Sequence, residues 1–207
     1  MKRLIHIIAT PRGEESRTLS VSGVFLEAFQ KKHADWVIDE LNLCTEKLPS
    51  LTQKSVSGKY VLLQGKNLRG SLKDTWNEIL QHIDRFKNAD FFLISAPMWN
   101  FSIPYILKQY IDLIVQPRYL FAYKEDGTVE GLVKGKKMVI ITSRGGTYGG
   151  EAQKFDHQEP YLRAIFGFVG FTDIAFIRAE GMDMGEERRE SGLKAARKLA
   201  QEMGQEK

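Results

Sequence analysis

The chain has 207 residues, 43% of them hydrophobic and 27% charged, which suits one large domain (1–207) with a substantial core. Its 30 basic and 26 acidic residues leave a formal charge of +4, spread along the chain without a polybasic block, so nucleic acid and membrane surfaces are poor partner candidates. Cys44 is the only cysteine, which excludes an intrachain disulfide and a thiolate cluster. The N-terminus runs straight into a strand pattern without the apolar length of a leader, and no apolar stretch is long enough to span a bilayer, so a cytoplasmic protein is expected.

Leu4 to Ala9 is a continuous apolar run, the pattern of a strand buried on both faces. Val21, Val24, Phe25, Ala28 and Phe29 recur at helical spacing and predict a helix ending near His33. Trp36 to Leu43 reads as a second strand. Residues 45–71 are polar and glycine-containing around Tyr60-Val61-Leu62-Leu63, and read as a long excursion. Trp76, Ile79, Leu80 and Ile83 mark a helix leading into a third strand at 90–95, and Ile106 to Val115 is helical. Between Tyr119 and Val133, Asp126-Gly127 separates two β-prone runs and predicts a hairpin. Met138 to Thr142 is the next strand, Tyr161 to Val169 a helix, Asp173 to Ile177 the fifth strand, and Leu193 to Met203 a closing helix. Five parallel strands separated by helices mean a doubly wound α/β sheet with helices on both faces. Such sheets bind ligands at the carboxyl ends of their strands.

Three turns at those ends carry the chemistry. The first, Thr10 to Thr18, offers hydroxyls at Ser16 and Thr18 that can cap the following helix or, with its free amides, hold a phosphate. Both readings stand at this level. No GxGxxG follows the first strand and no GxxxxGK[ST] occurs, so dinucleotide and nucleoside-triphosphate fingerprints are missing. The second turn, "APMWNFSIP" at 96–104, brackets Met98, Trp99, Asn100 and Phe101 between prolines. Core packing explains such aromatics; so does a wall with one amide, suited to a flat heteroaromatic ring. The third, Ser143-Arg144-Gly145-Gly146-Thr147-Tyr148, is a plain turn or a place where backbone amides approach a ligand edge. A monophosphate pocket, an aromatic platform and a glycine loop at one sheet edge together suggest a flavin mononucleotide.

The combination of "TPRGEESRTL", "APMWNFSIP", "TSRGGTY" and "FDHQEPYLRAIFGFVGFTDI" resembles the FMN-dependent NADH:quinone oxidoreductases, or azoreductases, of the flavodoxin-like fold, over nearly the whole chain. The resemblance implies a homodimer with FMN at each interface, passing hydride from NADH or NADPH to quinones or azo compounds. It places the phosphate turn on Thr10, Ser16, Arg17 and Thr18. It places the ring wall on Met98, Trp99, Asn100 and Phe101, and the polar edge on Ser143, Arg144, Gly145 and Gly146. Phe121 and Tyr148 are expected near the substrate. Thr10 stands where serine is usual, keeping the hydroxyl, and Trp99 stands where tyrosine is frequent, enlarging the wall.

Among the histidines, His6 lies within a strand and reads as structural, while His33 and His82 read as helix residues on partly solvated faces. His157 either caps the following helix or reaches a substrate. No catalytic side chain is assigned and no metal site is expected, because the cofactor carries the chemistry. A flavodoxin-like electron carrier and a non-catalytic flavin-binding module are the alternatives. The usual acidic docking surface of such carriers is absent, and steady NADH oxidation with a soluble quinone separates the readings. The aromatic hairpin segment Tyr119, Leu120, Phe121 and Tyr123, together with residues 60–63, is expected to form exposed patches that pair two subunits.

Overall fold

The computed structural model describes residues 1–206. Five parallel strands form one sheet: β1 (Arg3–Ile8), β2 (Val37–Asn42), β3 (Phe91–Ser95), β6 (Lys137–Ser143) and β7 (Asp173–Ala179), in the order β2-β1-β3-β6-β7. The order reverses between β1 and β3, which is the switch point where sheets of this kind open a crevice. The alternation of side chains within each strand feeds two cores. Ile5, Ile7, Phe92, Ile94, Met138 and Ile140 face one side, where they meet α3 (Ser71–Lys87), α4 (Tyr105–Ile114) and α5 (Glu159–Phe168). Leu4, Leu93, Val139 and Ile141 face the other, against α1 (Arg17–Lys32) and α6 (Glu186–Gly204).

The excursion at 45–71 contains a helix that its pattern did not announce, α2 (Gln53–Leu63). Its buried positions are Ser55, Gly58 and Leu62, so small and polar residues take the inward face that an apolar periodicity would have marked. Gly58 is required there by contact: a Cβ would sit 2.2 Å from Trp76 Nε1 on α3. That indole donates to Ser55 O at 3.0 Å, tying the two helices together.

The hairpin forms as expected from β4 (Phe121–Tyr123) and β5 (Val129–Gly131), with Gly127 in the left-handed region at φ 80°. Its aromatics are not displayed as expected. Leu120 and Phe121 are buried within the subunit, Phe121 against Phe168 at 4.8 Å, and Tyr123 is the exposed ring. Two histidine expectations also change. His82 is buried on α3 beside Tyr110, because α4 covers the face that looked solvated. His33 lies just beyond α1 and packs between Phe29 and Trp36.

Candidate active site

The three turns meet. Thr10, Arg12, Ser16, Arg17, Pro97, Met98, Trp99, Ser143, Arg144, Gly145, Met182 and Asp183 line one recess of about 170 Å³ at the carboxyl ends of β1, β3 and β6. Ser16 caps α1, its side chain accepting from Leu19 N at 3.3 Å. The cap leaves the amides of Arg17 and Thr18 without a carbonyl acceptor. The first turn of α1 holds no acidic residue, so its positive end is uncompensated. Thr18 is buried and its hydroxyl meets Ser143 Oγ at 2.7 Å, joining the first turn to the third. These free amides, hydroxyls and two arginines suit a phosphate.

The aromatic turn is strained. Asn100 and Phe101 have φ of 48° and 67°, and Trp99 and Ser102 exchange both backbone hydrogen bonds at 2.9 Å around them. This is a two-residue reversal with both central residues left-handed, a geometry that asparagine tolerates and phenylalanine does not favour. Such strain persists where surrounding structure enforces it, commonly at functional sites. The turn presents Trp99 and Phe101 to solvent at 36% and 47% exposure, large for aromatic side chains. Phe101 stacks against Phe155 at 5.3 Å and meets Tyr148 edge-on at 6.4 Å, an aromatic cluster beside the turn. A second recess of about 460 Å³, lined in part by Trp99, Asn100, Tyr105 and Tyr161, opens beyond the same turn. Burial pushes the Tyr161 phenol up to about 12, so it stays protonated there at neutral pH.

The glycine turn has open amides. Among the described residues, Gly145, Gly146 and Thr147 donate to no acceptor, while the carbonyls of Gly145 and Gly146 accept from Asp183 N and Gly181 N at 2.9 and 3.1 Å. Arg144 lines the recess with its side chain buried behind the turn. Its side chain is 2% exposed and bonds to Asp156 at 2.8 Å, with Glu180 and Glu159 at 3.5 and 3.7 Å. The guanidinium is thus an internal anchor behind the turn, and its Nε and Nη2 make no hydrogen bond among the described residues. Glu159 in turn accepts from Arg163 and Arg178. Burial penalises its charge, but the two arginines outweigh that and hold its carboxyl below the usual range.

The segment Asp156-His157-Gln158 locks the second and third turns together. Buried Gln158 donates to Ala96 O and Pro97 O at 3.2 and 3.0 Å, and His157 N donates to Phe101 O at 2.9 Å. The cap expected as one role of the His157 side chain does not form, and His157 enters this clamp through its backbone N–H. Asp156 is the helix cap, its Oδ1 accepting from Gln158 N and Glu159 N, while the His157 ring is exposed. Asp156, Gln158, Pro97, Arg12, Met182 and Asp183 escaped the sequence reading. The quoted segment "FDHQEP" held the only signal for the first two, a polar triplet directly before a helix. Phe121 lies outside the recess, on a separate apolar groove with Leu51, Val56, Tyr60, Leu63 and Phe168, whereas Tyr148 stands beside the glycine turn. No group of side chains able to hold a metal ion occurs among the described residues.

A family model described as a flavodoxin-like fold matches residues 2–203. An FMN-dependent NADH:quinone oxidoreductase of Nitratidesulfovibrio vulgaris is 36% identical over 209 residues, covering 98% of this chain and all of the relative. Among solved structures, an azoreductase from Bacillus anthracis strain Sterne superposes with a TM-score of 0.90 at 25% identity, over 99% of both chains. An FMN-dependent NADH-azoreductase from Bacillus anthracis strain Ames Ancestor, solved in complex with FMN, has a TM-score of 0.84 at 27% identity, over 99% of this chain and all of that one. A hydroxyl-rich helix end, an aromatic wall and open glycine amides at the switch point are what that cofactor asks of a protein. The chain therefore belongs to the flavodoxin-like family of FMN-dependent NADH:quinone oxidoreductases and azoreductases.

Proposed function

We propose that this chain binds FMN in the recess formed by its three turns and uses it to oxidise NADH or NADPH and reduce quinones and aromatic azo compounds. The observation that carries the reading is the convergence of those turns on one crevice at the β1/β3 switch point. Thr10 and Ser16, with Arg17 and the free amides of Arg17 and Thr18, would hold the phosphate, while the Thr18 hydroxyl ties the turn to Ser143 from behind. Met98, Trp99, Asn100 and Phe101 bed the ring, and the amides of Gly145 and Gly146 meet its polar edge, where fixed donors stabilise negative charge. Bound FMN supplies reversible two-electron chemistry, hydride in from the nicotinamide and reducing equivalents out to the acceptor. The protein's part is to hold the ring's open face clear for both partners in turn and keep them apart in time. Turnover is therefore ping-pong, with parallel double-reciprocal lines for NADH and quinone. Intersecting lines would mean a ternary complex and contradict a shared face.

The working unit in this reading is a homodimer. The support is the apolar groove of about 460 Å³ and its exposed rim of Leu51, Val56, Tyr60, Leu63 and Phe168, a cluster with no cover from its own subunit. A substrate role for Phe121 would have to arise across such an interface, since Phe121 lies on the groove and outside its own subunit's recess. An electron-carrier reading is tested by the same assay: a carrier shows no steady NADH oxidation with a soluble quinone.

A further inference from the structure

The recess contains one carboxylate, and it sits on a cation needed for phosphate. Arg17, the second arginine of the phosphate turn to face the recess, is not free. Its Nη1 donates to Asp183 Oδ1 at 2.8 Å and to Met182 O at 2.9 Å, so a single nitrogen binds the guanidinium to the 182–183 segment. The Asp183 carboxylate lies against the glycine turn: a Cβ on Gly145 would stand 2.7 Å from its Oδ2. The backbone beneath it is fixed, since Gly181, Met182 and Asp183 donate to Gly146, Arg144 and Gly145 carbonyls at 3.1, 3.0 and 2.9 Å. The side chain itself is 73% exposed.

A carboxylate and a phosphate cannot share a recess of about 170 Å³ without repulsion, and both seek the same guanidinium. The anchored backbone keeps Asp183 in place, whereas Arg17 is a long, half-buried side chain with three rotatable methylenes. We propose that Asp183 is an internal competitor for the cofactor's phosphate. Its carboxylate occupies Arg17 until a phosphomonoester takes the guanidinium over, and so weakens and grades the uptake of phosphorylated flavin. The inference rests on the FMN reading and names the residue that sets how strongly the phosphate contributes.

The test is titration of the apoprotein with FMN and, separately, with riboflavin, followed by quenching of flavin fluorescence. Removing the carboxylate in Asp183→Asn tightens FMN by about fivefold, the size of one like-charge contact in a solvated recess, and changes riboflavin by less than twofold. Asp183→Ala gives the same result, since the effect comes from lost charge and not from an added amide. Arg17→Met lowers the preference for FMN over riboflavin. An unchanged or lowered FMN-to-riboflavin ratio in both Asp183 variants would overturn the inference, and a fall in FMN affinity would make Asp183 a support of Arg17. Wild-type apoprotein that takes no FMN would remove the parent reading and this inference with it, and is thereby distinguished from failure of the inference alone.

Discussion

Phe101 states the residue-scale conflict most plainly, because it holds an unfavourable backbone angle to expose an apolar ring. A left-handed non-glycine residue costs about 1–2 kcal/mol. In Phe101→Gly, relief of that strain offsets the lost ring contacts, and the thermal midpoint stays within a few degrees of wild type. The same variant raises KM for an aromatic quinone, because the platform beside Trp99 is gone. A large drop in the midpoint with unchanged KM would make the ring structural. His6 has the opposite character. It is buried in β1, its Nε2 meets Ser95 Oγ at 2.7 Å, and burial lowers its pKa to about 4. Between pH 6.5 and 4 the unfolded chain therefore binds more protons at this site than the folded one. His6 accordingly costs nothing above pH 6.5 and removes stability as pH falls through that window, by up to about 1.4 kcal/mol per pH unit. Urea unfolding of wild type and His6→Gln at pH 7 and pH 4.5 checks the sign, since the carboxylates act alike in both. The variant should lose less stability on acidification. The structural reading of His6 was legible from its place in an apolar run; the burial of His82 was not, because α4 covers it from a distance in the chain.

At the scale of elements, strands and most helices followed their patterns because each buries an apolar face of regular period. Helix α2 did not, since its inward residues are serine and glycine that fit around Trp76. The clamp at 156–158 was equally hidden: its value lies in hydrogen bonds to turns some 60 residues away, which no local period records. Gln158→Leu strips the donors from two carbonyls and should cost about 1–3 kcal/mol, read by chemical unfolding. It should also weaken FMN binding, since Ala96 and Pro97 carry the aromatic wall. Asp156→Ala is the harsher change. It leaves the buried Arg144 charge short of its nearest partner, a loss on the order of 3–5 kcal/mol, with Asp156→Asn intermediate. Equal stabilities for wild type and Asp156→Ala would deny Arg144 its anchoring role. Phe121 teaches a related lesson, because a charge placed there now strikes the subunit's own packing against Phe168 before any interface.

For the whole molecule, the alternation of strands and helices made the doubly wound sheet legible, while the meeting of the turns required the strand order to be known. The pairing of subunits belongs to this scale. Tyr60 is 61% exposed and Leu63 39%, both on the rim of the apolar groove, so aspartate at either position leaves the folded subunit intact. Sedimentation of Tyr60→Asp should show a shift toward monomer, and an unshifted dimer would move the interface elsewhere. The central claim is that one recess holds FMN and presents it to donor and acceptor in succession. It is tested most directly by adding one equivalent of NADH, without oxygen or acceptor, to the FMN-loaded protein while following flavin absorbance. The account predicts that the flavin band bleaches with NADH alone and returns when a quinone is added. A protein that retains no FMN, or one whose band stays unbleached until the quinone is present, would contradict it.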